Sequence, residues 1–209
     1  MKQTEKTAKN ETEPMEQAIL RAAERLFLDK GFALTSTTEI AREAGCNQAL
    51  VHYYFRTKEN LFEKIFEQKI RMLISNIFSI DREGGTFEEK LRRKIEAHFE
   101  ILKKNPKIPF LVITTNPERI ASLRDSIGEL PLSVYATFEQ DLQKEIAQGR
   151  VRETNALDLM FSALSLNLAT FLVRPVLQNI LGLTDEAMDG FLEHRKEENV
   201  KIILQSLKP

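Results

Sequence analysis

An all-α fold is what this sequence predicts, and three observations predict it. Apolar residues recur three and four apart along most of the chain. No stretch alternates apolar and polar residues as a half-buried strand does. There are only 8 Gly and 7 Pro in 209 residues, and most of the prolines fall between the periodic segments. At that length the chain suffices for one large domain or two small ones. The expected architecture is a small N-terminal unit followed by a larger C-terminal helical bundle, with no internal repeat.

The elements follow in order. Residues 1–13 are polar and charged and read as a disordered tail. Met15–Lys30 places Ile19, Ala22, Ala23, Leu26 and Phe27 on one face, with Pro14 to start it and Gly31 to end it. A second helix runs from about Thr37 to Ala44, where Ser36 and Glu39 read as a capping box and Thr35 is an alternative cap. Gly45 supplies a left-handed turn. Asn47 caps a third helix, Gln48–Phe55. Thr57 caps a fourth, which reaches about Ser79 before DREGG (81–85) breaks it. Thr86–Lys104 is a fifth. Prolines 106, 109 and 117 bracket a short apolar segment, Phe110–Thr115. A weaker helix covers about 118–127, then come Pro131–Gln148 and Asn155–Arg174. Thr184 caps a last helix to Leu207, bent within HRKEEN (194–199).

Bulk chemistry excludes several classes. Net charge is −1, so any nucleic-acid surface is local rather than global. The single cysteine, Cys46, rules out an intrachain disulfide and a cysteine-rich zinc site. It reads as a small hydrophobe. The N-terminus lacks the apolar core of a signal peptide. The longest apolar stretch, near Leu157–Val173, is interrupted by Ser162, Ser165, Asn167 and Thr170 and reads as too short and too polar to span a bilayer. The chain is therefore expected in a reducing cytoplasm, without membrane, metal or cofactor. With three His, and neither GxSxG, HExxH nor a phosphate-cradling glycine loop, nothing supports an enzyme.

One stretch carries specific chemistry, TSTTEIAREAGCNQALVHYYFRTKENLF (35–62). It reads as two short helices about a glycine turn, the arrangement that presents a recognition helix to a DNA major groove. Val51 and Phe55 point inward. Asn47, Gln48, Ala49, His52, Tyr53 and Tyr54 then lie at the helix start or on its outer side. Gln pairs with adenine, Ala touches a thymine methyl, and His and Tyr reach phosphates or base edges. Thr35, Ser36 and Thr37 gather hydroxyls and amides at a helix start, a seat for a phosphate, and Lys58 adds a charge. A helical protein–protein adaptor of the same shape is the competing class.

Residues 15–62 resemble the DNA-binding domain of the tetracycline-repressor (TetR) family. The resemblance is carried by Ile19, Ala22, Ala23, Leu26, Phe27, Gly31, Phe32, Thr35, Ile40, Ala41, Ala44, Gly45, Tyr53, Phe55, Lys58, Glu59 and Leu61. The chain departs from that pattern at Cys46, at Asn47–Leu50, and at His52 and Tyr54, which exchange aromatic roles. The resemblance implies a homodimer on a palindromic double-stranded operator, with residues 14–60 reading DNA. Residues 61–209 would bind a small, apolar effector and dimerise. Aromatic candidates for an effector cavity are Phe99, Phe110, Tyr135, Phe138, Phe161 and Phe171. The polar candidates are His98, Thr114, Thr115, Asn167 and Thr170. For the dimer, Leu159, Ala163, Leu166 and Thr170 would meet Val200, Ile203, Leu204 and Leu207. All of these are equally the residues of an ordinary core.

Overall fold

The computed structural model describes residues 14–81, 84–114 and 128–209. The tail at 1–13, Thr115 and the weak helix expected at 118–127 lie outside them. Nine helices make up the described residues: α1 Met15–Leu34, α2 Thr37–Glu43, α3 Gln48–Phe55, α4 Lys58–Asp81, α5 Phe87–Lys104, α6 Ile108–Thr114, α7 Leu130–Ala147, α8 Ala156–Ile180 and α9 Asp185–Ser206. They fall into two compact units, the first ending at Ile65 and the second beginning at Phe66.

The first unit is held by a small apolar core. Ile19, Ala23, Ile40, Val51 and Leu61 are at most 1% exposed. Phe27, Phe32 and Phe62 form a triangle of rings with centroids 5.1–5.6 Å apart, two of the three contacts edge-on, as the ring quadrupole favours. Helix α1 runs past its expected end, but Gly31 interrupts it at φ 84°, ψ 164°. Lys30 Nζ meets Glu39 Oε1 at 2.5 Å, and Arg25 pairs with Glu43, so α2 is tied to α1 at both ends.

The second unit has two apolar clusters. One joins Leu91 and Ile95 of α5, Phe138 and Leu142 of α7, and Leu159 and Ala163 of α8 to Val200, Ile203, Leu204 and Leu207 at the end of the chain. The other gathers Phe99, Leu102, Ile108, Phe171, Met188 and Leu192. Four expectations change here. The segment after Pro106 is a helix, α6, beginning at Ile108. Helix α8 does not stop at Arg174 but passes Pro175 and ends at Ile180. It is thus 25 residues long and, with a mean hydropathy of 1.7 over its most apolar window, long and apolar enough to cross a membrane by length and composition. Pro175 lies inside the helix without ending it. Helix α9 continues through 194–199. There Lys196 bonds Glu100 at 2.7 Å and Glu193 at 2.6 Å, so the polar run is a flank paired to α5.

Candidate functional site

The geometry of 35–62 is built by caps. Ser36 accepts from Glu39 N while the Glu39 carboxylate accepts from Ser36 N at 3.0 Å and from Ser36 Oγ at 2.8 Å. The Lys30 ammonium, with these bonds from Ser36, holds the Glu39 carboxyl down to about 2. Gly45 turns the chain at φ 70°, the left-handed region that only a residue without Cβ enters freely. Asn47 Oδ1 then accepts from Leu50 N at 2.9 Å and starts α3.

Helix α3 buries Val51 and Phe55 and exposes the other side. Gln48, Ala49, His52, Tyr53 and Tyr54 are all exposed, Tyr53 by 78%. These polar and aromatic groups are pre-set. Thr38 Oγ1 donates to Gln48 Oε1 at 3.3 Å, and Gln48 Nε2 donates to Thr37 Oγ1 at 2.9 Å. His52 Nδ1 lies 2.9 Å from the Arg56 carbonyl, which can only accept. The proton therefore sits on Nδ1, and Nε2 receives the Gln48 amide at 3.4 Å. Tyr53 and Tyr54 meet edge-on at 5.2 Å. The face ends in a tight turn: Thr57 N donates to Phe55 O at 2.7 Å around Arg56, whose φ is 63° and ψ −53°. This is a γ-turn of the rare positive-φ kind.

Three expected contacts sit differently. Thr35 is 2% exposed and donates its hydroxyl to Gly31 O at 2.8 Å, so its side chain belongs to the core. The expected phosphate seat at Ser36 is already filled by the chain's own Glu39 carboxylate. Lys58 Nζ donates to Phe32 O at 3.0 Å and Thr35 O at 2.9 Å, and lies 4.2 Å from the Phe32 ring centroid. It latches the end of α1 to the start of α4 instead of standing free. Cys46 is half-buried, and desolvation pushes its thiol up. Thr38, not among the expected residues, enters the face through its bond to Gln48.

A cavity of about 380 Å³ lies within the second unit. His98, Tyr135, Phe138 and Asn167 line it, with Ile74, Ile77, Lys94 and Met160 among others. The remaining candidates lie elsewhere. Phe99 and Phe171 are fully packed core, their rings 4.9 Å apart. Phe110 is 38% exposed and Phe161 68% exposed, and neither lines the cavity. Thr114 ends α6, and its side chain lies outside the described residues. Thr170 returns its hydroxyl to Leu166 O at 2.8 Å. The amphipathic pattern could not separate core aromatics from lining ones, because both lie on inward faces.

Of the dimer candidates, Leu159, Ala163, Thr170, Val200, Ile203, Leu204 and Leu207 are all under 10% exposed within the single chain. They hold α8 to α9. The groove beside them adds exposed side chains to three of the candidates. Phe161, Ser162, Ser165 and Ile202 line it over a floor that includes Leu159, Leu166 and Ile203.

A short helix started by an Asn cap, set on a glycine turn and exposing amide, imidazole and phenol groups, defines a helix-turn-helix DNA-binding protein. Residues 19–65 match the model for bacterial regulatory proteins of the tetR family. That stretch is the DNA-binding domain of this family of transcription regulators. It is 21% identical over 180 residues to the fatty acid metabolism regulator protein of Bacillus subtilis, covering 84% of this chain and 93% of that one. Its fold is similar to that of a tetR-family regulatory protein from Rhodococcus RHA1, with a TM-score of 0.73, 18% identity, and 94% and 98% of the two chains covered. It is similar also to the transcriptional regulator FadR from Bacillus subtilis, crystallised in complex with stearoyl-CoA. That pair has a TM-score of 0.67 at 19% identity, over 91% and 98% of the chains.

Proposed function

We propose that this regulator is a repressor that binds a palindromic operator as a homodimer and lets go when a small apolar molecule enters the second unit. It acts without catalysis and in the cytoplasm. The observation that carries the DNA half is the exposed, pre-hydrogen-bonded face of α3. Gln48 and Ala49 meet base edges, while Tyr53, Tyr54 and His52 reach phosphates or bases. Thr37 and Asn47 approach the backbone beside them, and Ser36, engaged by Glu39, holds the start of α2 in place. Thr35 and Lys58 shape the face from behind.

The cavity supports the effector half, and the stearoyl-CoA held by FadR of Bacillus subtilis makes an acyl chain a fitting class. Residues 14–60, with Leu61 and Phe62 of their core, serve as the reading domain, and the second unit, from Phe66, as the effector and dimer domain. The exposed groove of α8 and α9 is the surface that a second copy covers, which accounts for the apolar outer side of α8 without a bilayer. In such a dimer the two α3 helices sit about 34–36 Å apart, one DNA turn. An effector that prefers another spacing weakens operator binding by about 5–150-fold, a coupling of roughly 1–3 kcal/mol. Helix α4 runs unbroken from Lys58 to Asp81 and connects the two halves covalently.

The test selects fragments from random DNA with the purified protein and then titrates the winner in gel shifts at several salt concentrations. A palindromic site with steep salt dependence is expected. Failure to enrich any palindrome would favour the adaptor reading.

A further inference from the structure

We propose that the cavity of the second unit seats its ligand through one neutral hydrogen-bond-accepting oxygen, a carbonyl or hydroxyl, on the Nε2–H of His98. This rests on the effector reading above and adds to it the chemistry of the group recognised.

The proton on Nε2 follows from the neighbours. Asn167 Nδ2 lies 2.9 Å from the Ile95 carbonyl oxygen, which can only accept, and this fixes the orientation of the Asn167 amide. The same Nδ2 lies 3.1 Å from His98 Nδ1, so Nδ1 also accepts. Asn199 Nδ2 donates to Asn167 Oδ1 at 2.9 Å and completes the chain of bonds. The imidazole is 5% exposed, and burial holds it down to about 4, so it is neutral at physiological pH. Its one proton is on Nε2, at the edge of the ring away from Asn167, and the ring lines the cavity.

The other polar groups of the lining leave this role to His98. Both polar atoms of Asn167 are engaged. Tyr135 directs its hydroxyl to Glu139 Oε1 at 3.5 Å. Lys94 is half-buried and also borders an outer cleft with Lys90 and Asp141. A ligand ammonium would meet a donor where it needs an acceptor. A carboxylate would give up its hydration to a neutral imidazole. A carbonyl or hydroxyl loses far less water and gains the bond. At roughly 30 Å³ for each liquid-packed non-hydrogen atom, the share a water molecule takes, the cavity holds about a dozen such atoms.

The experiment uses the full-length protein and four ligands of equal size: 2-undecanone, dodecane, undecylamine and decanoate. Each displaces a fluorescent apolar probe. The wild type should bind the ketone about 5–10-fold more tightly than the alkane, the worth of one hydrogen bond. His98→Leu should erase that preference while still binding dodecane, and His98→Gln, which keeps an N–H, should retain part of it. Equal affinity for ketone and alkane in the wild type, or a preference that survives in a folded His98→Leu, overturns the inference. So does decanoate or undecylamine binding more tightly than the ketone. If the variant does not fold, the wild-type series alone decides. Binding of none of the four would remove the effector cavity itself, a different failure from binding all four alike.

Discussion

The amide of Gln48 reaches from α3 to the hydroxyls of Thr37 and Thr38 on α2 and to the imidazole of His52 one turn on. A free glutamine spends rotamer entropy when it docks on a base; this one has already spent much of it. Gln48→Ala and Tyr53→Ala are therefore expected to weaken operator binding by about 5–150-fold each, the 1–3 kcal/mol of a good base contact. Circular dichroism should be unchanged. Loss of fold with either substitution would mean that the face is structural. His98 makes a second prediction at this scale. Its pKa falls from 6.5 in the open chain to about 4 in the fold, because burial disfavours the imidazolium. The unfolded chain therefore binds the extra proton first as pH drops. The stability this provides is complete above pH 6.5 and drains away toward pH 4. Between pH 7 and 5 the wild type should lose about 2 kcal/mol that His98→Gln does not lose. Parallel urea midpoints for both proteins at the two pH values measure it; equal slopes would refute it.

At the level of elements, caps and turns were legible from the sequence because their signals are local. Ser36 with Glu39, Gly45, Asn47, Thr57 and Thr184 all start or turn helices where the pattern placed them. The end of α8 was not legible in the same way: a proline removes one backbone bond, yet the helix continues past Pro175 to Ile180. The cavity wall was only partly legible. His98, Tyr135, Phe138 and Asn167 line it, whereas Phe99 and Phe171 pack against each other, and helical spacing reads the same for both. Lys58 shows how chemistry is reassigned by tertiary contact. A lysine at a helix start reads as a phosphate ligand, yet this one caps two carbonyls across the first unit. Lys58→Met should cost about 1–3 kcal/mol of stability by taking the donor from the Thr35 carbonyl, since the Phe32 carbonyl keeps its bond from Thr35 N. Unaltered stability with a shallower salt dependence of DNA binding would restore the phosphate role.

For the molecule as a whole, the question is which apolar surface belongs inside and which belongs to a partner. Leu159, Val200, Ile203 and Leu207 close on one another within the chain, while Phe161 and Leu157 remain 68% and 56% exposed on the same helix. Helical periodicity finds a stripe but not its owner, since intrachain and interchain burial demand the same residues. The proposed homodimer places its contacts on the exposed side. Phe161→Glu should yield a folded monomer by light scattering, with operator affinity falling steeply because one half-site is lost. A variant that remains dimeric would move the interface elsewhere.

The turn at Arg56 has a consequence for how this protein tolerates heat. A side chain held at φ 63° carries about 1–3 kcal/mol of backbone strain that glycine would not feel. The His52 bond is made to the backbone oxygen of residue 56, so it survives any substitution there. A selection for survival at elevated temperature should therefore find Arg56→Gly early, with a melting point a few degrees higher, readable by calorimetry. The Arg56 side chain is exposed at the end of α3, the helix proposed to meet DNA. What the glycine variant gains in thermal endurance it is expected to lose in grip on its operator, and an unchanged melting point would show that the turn is not where the two are exchanged.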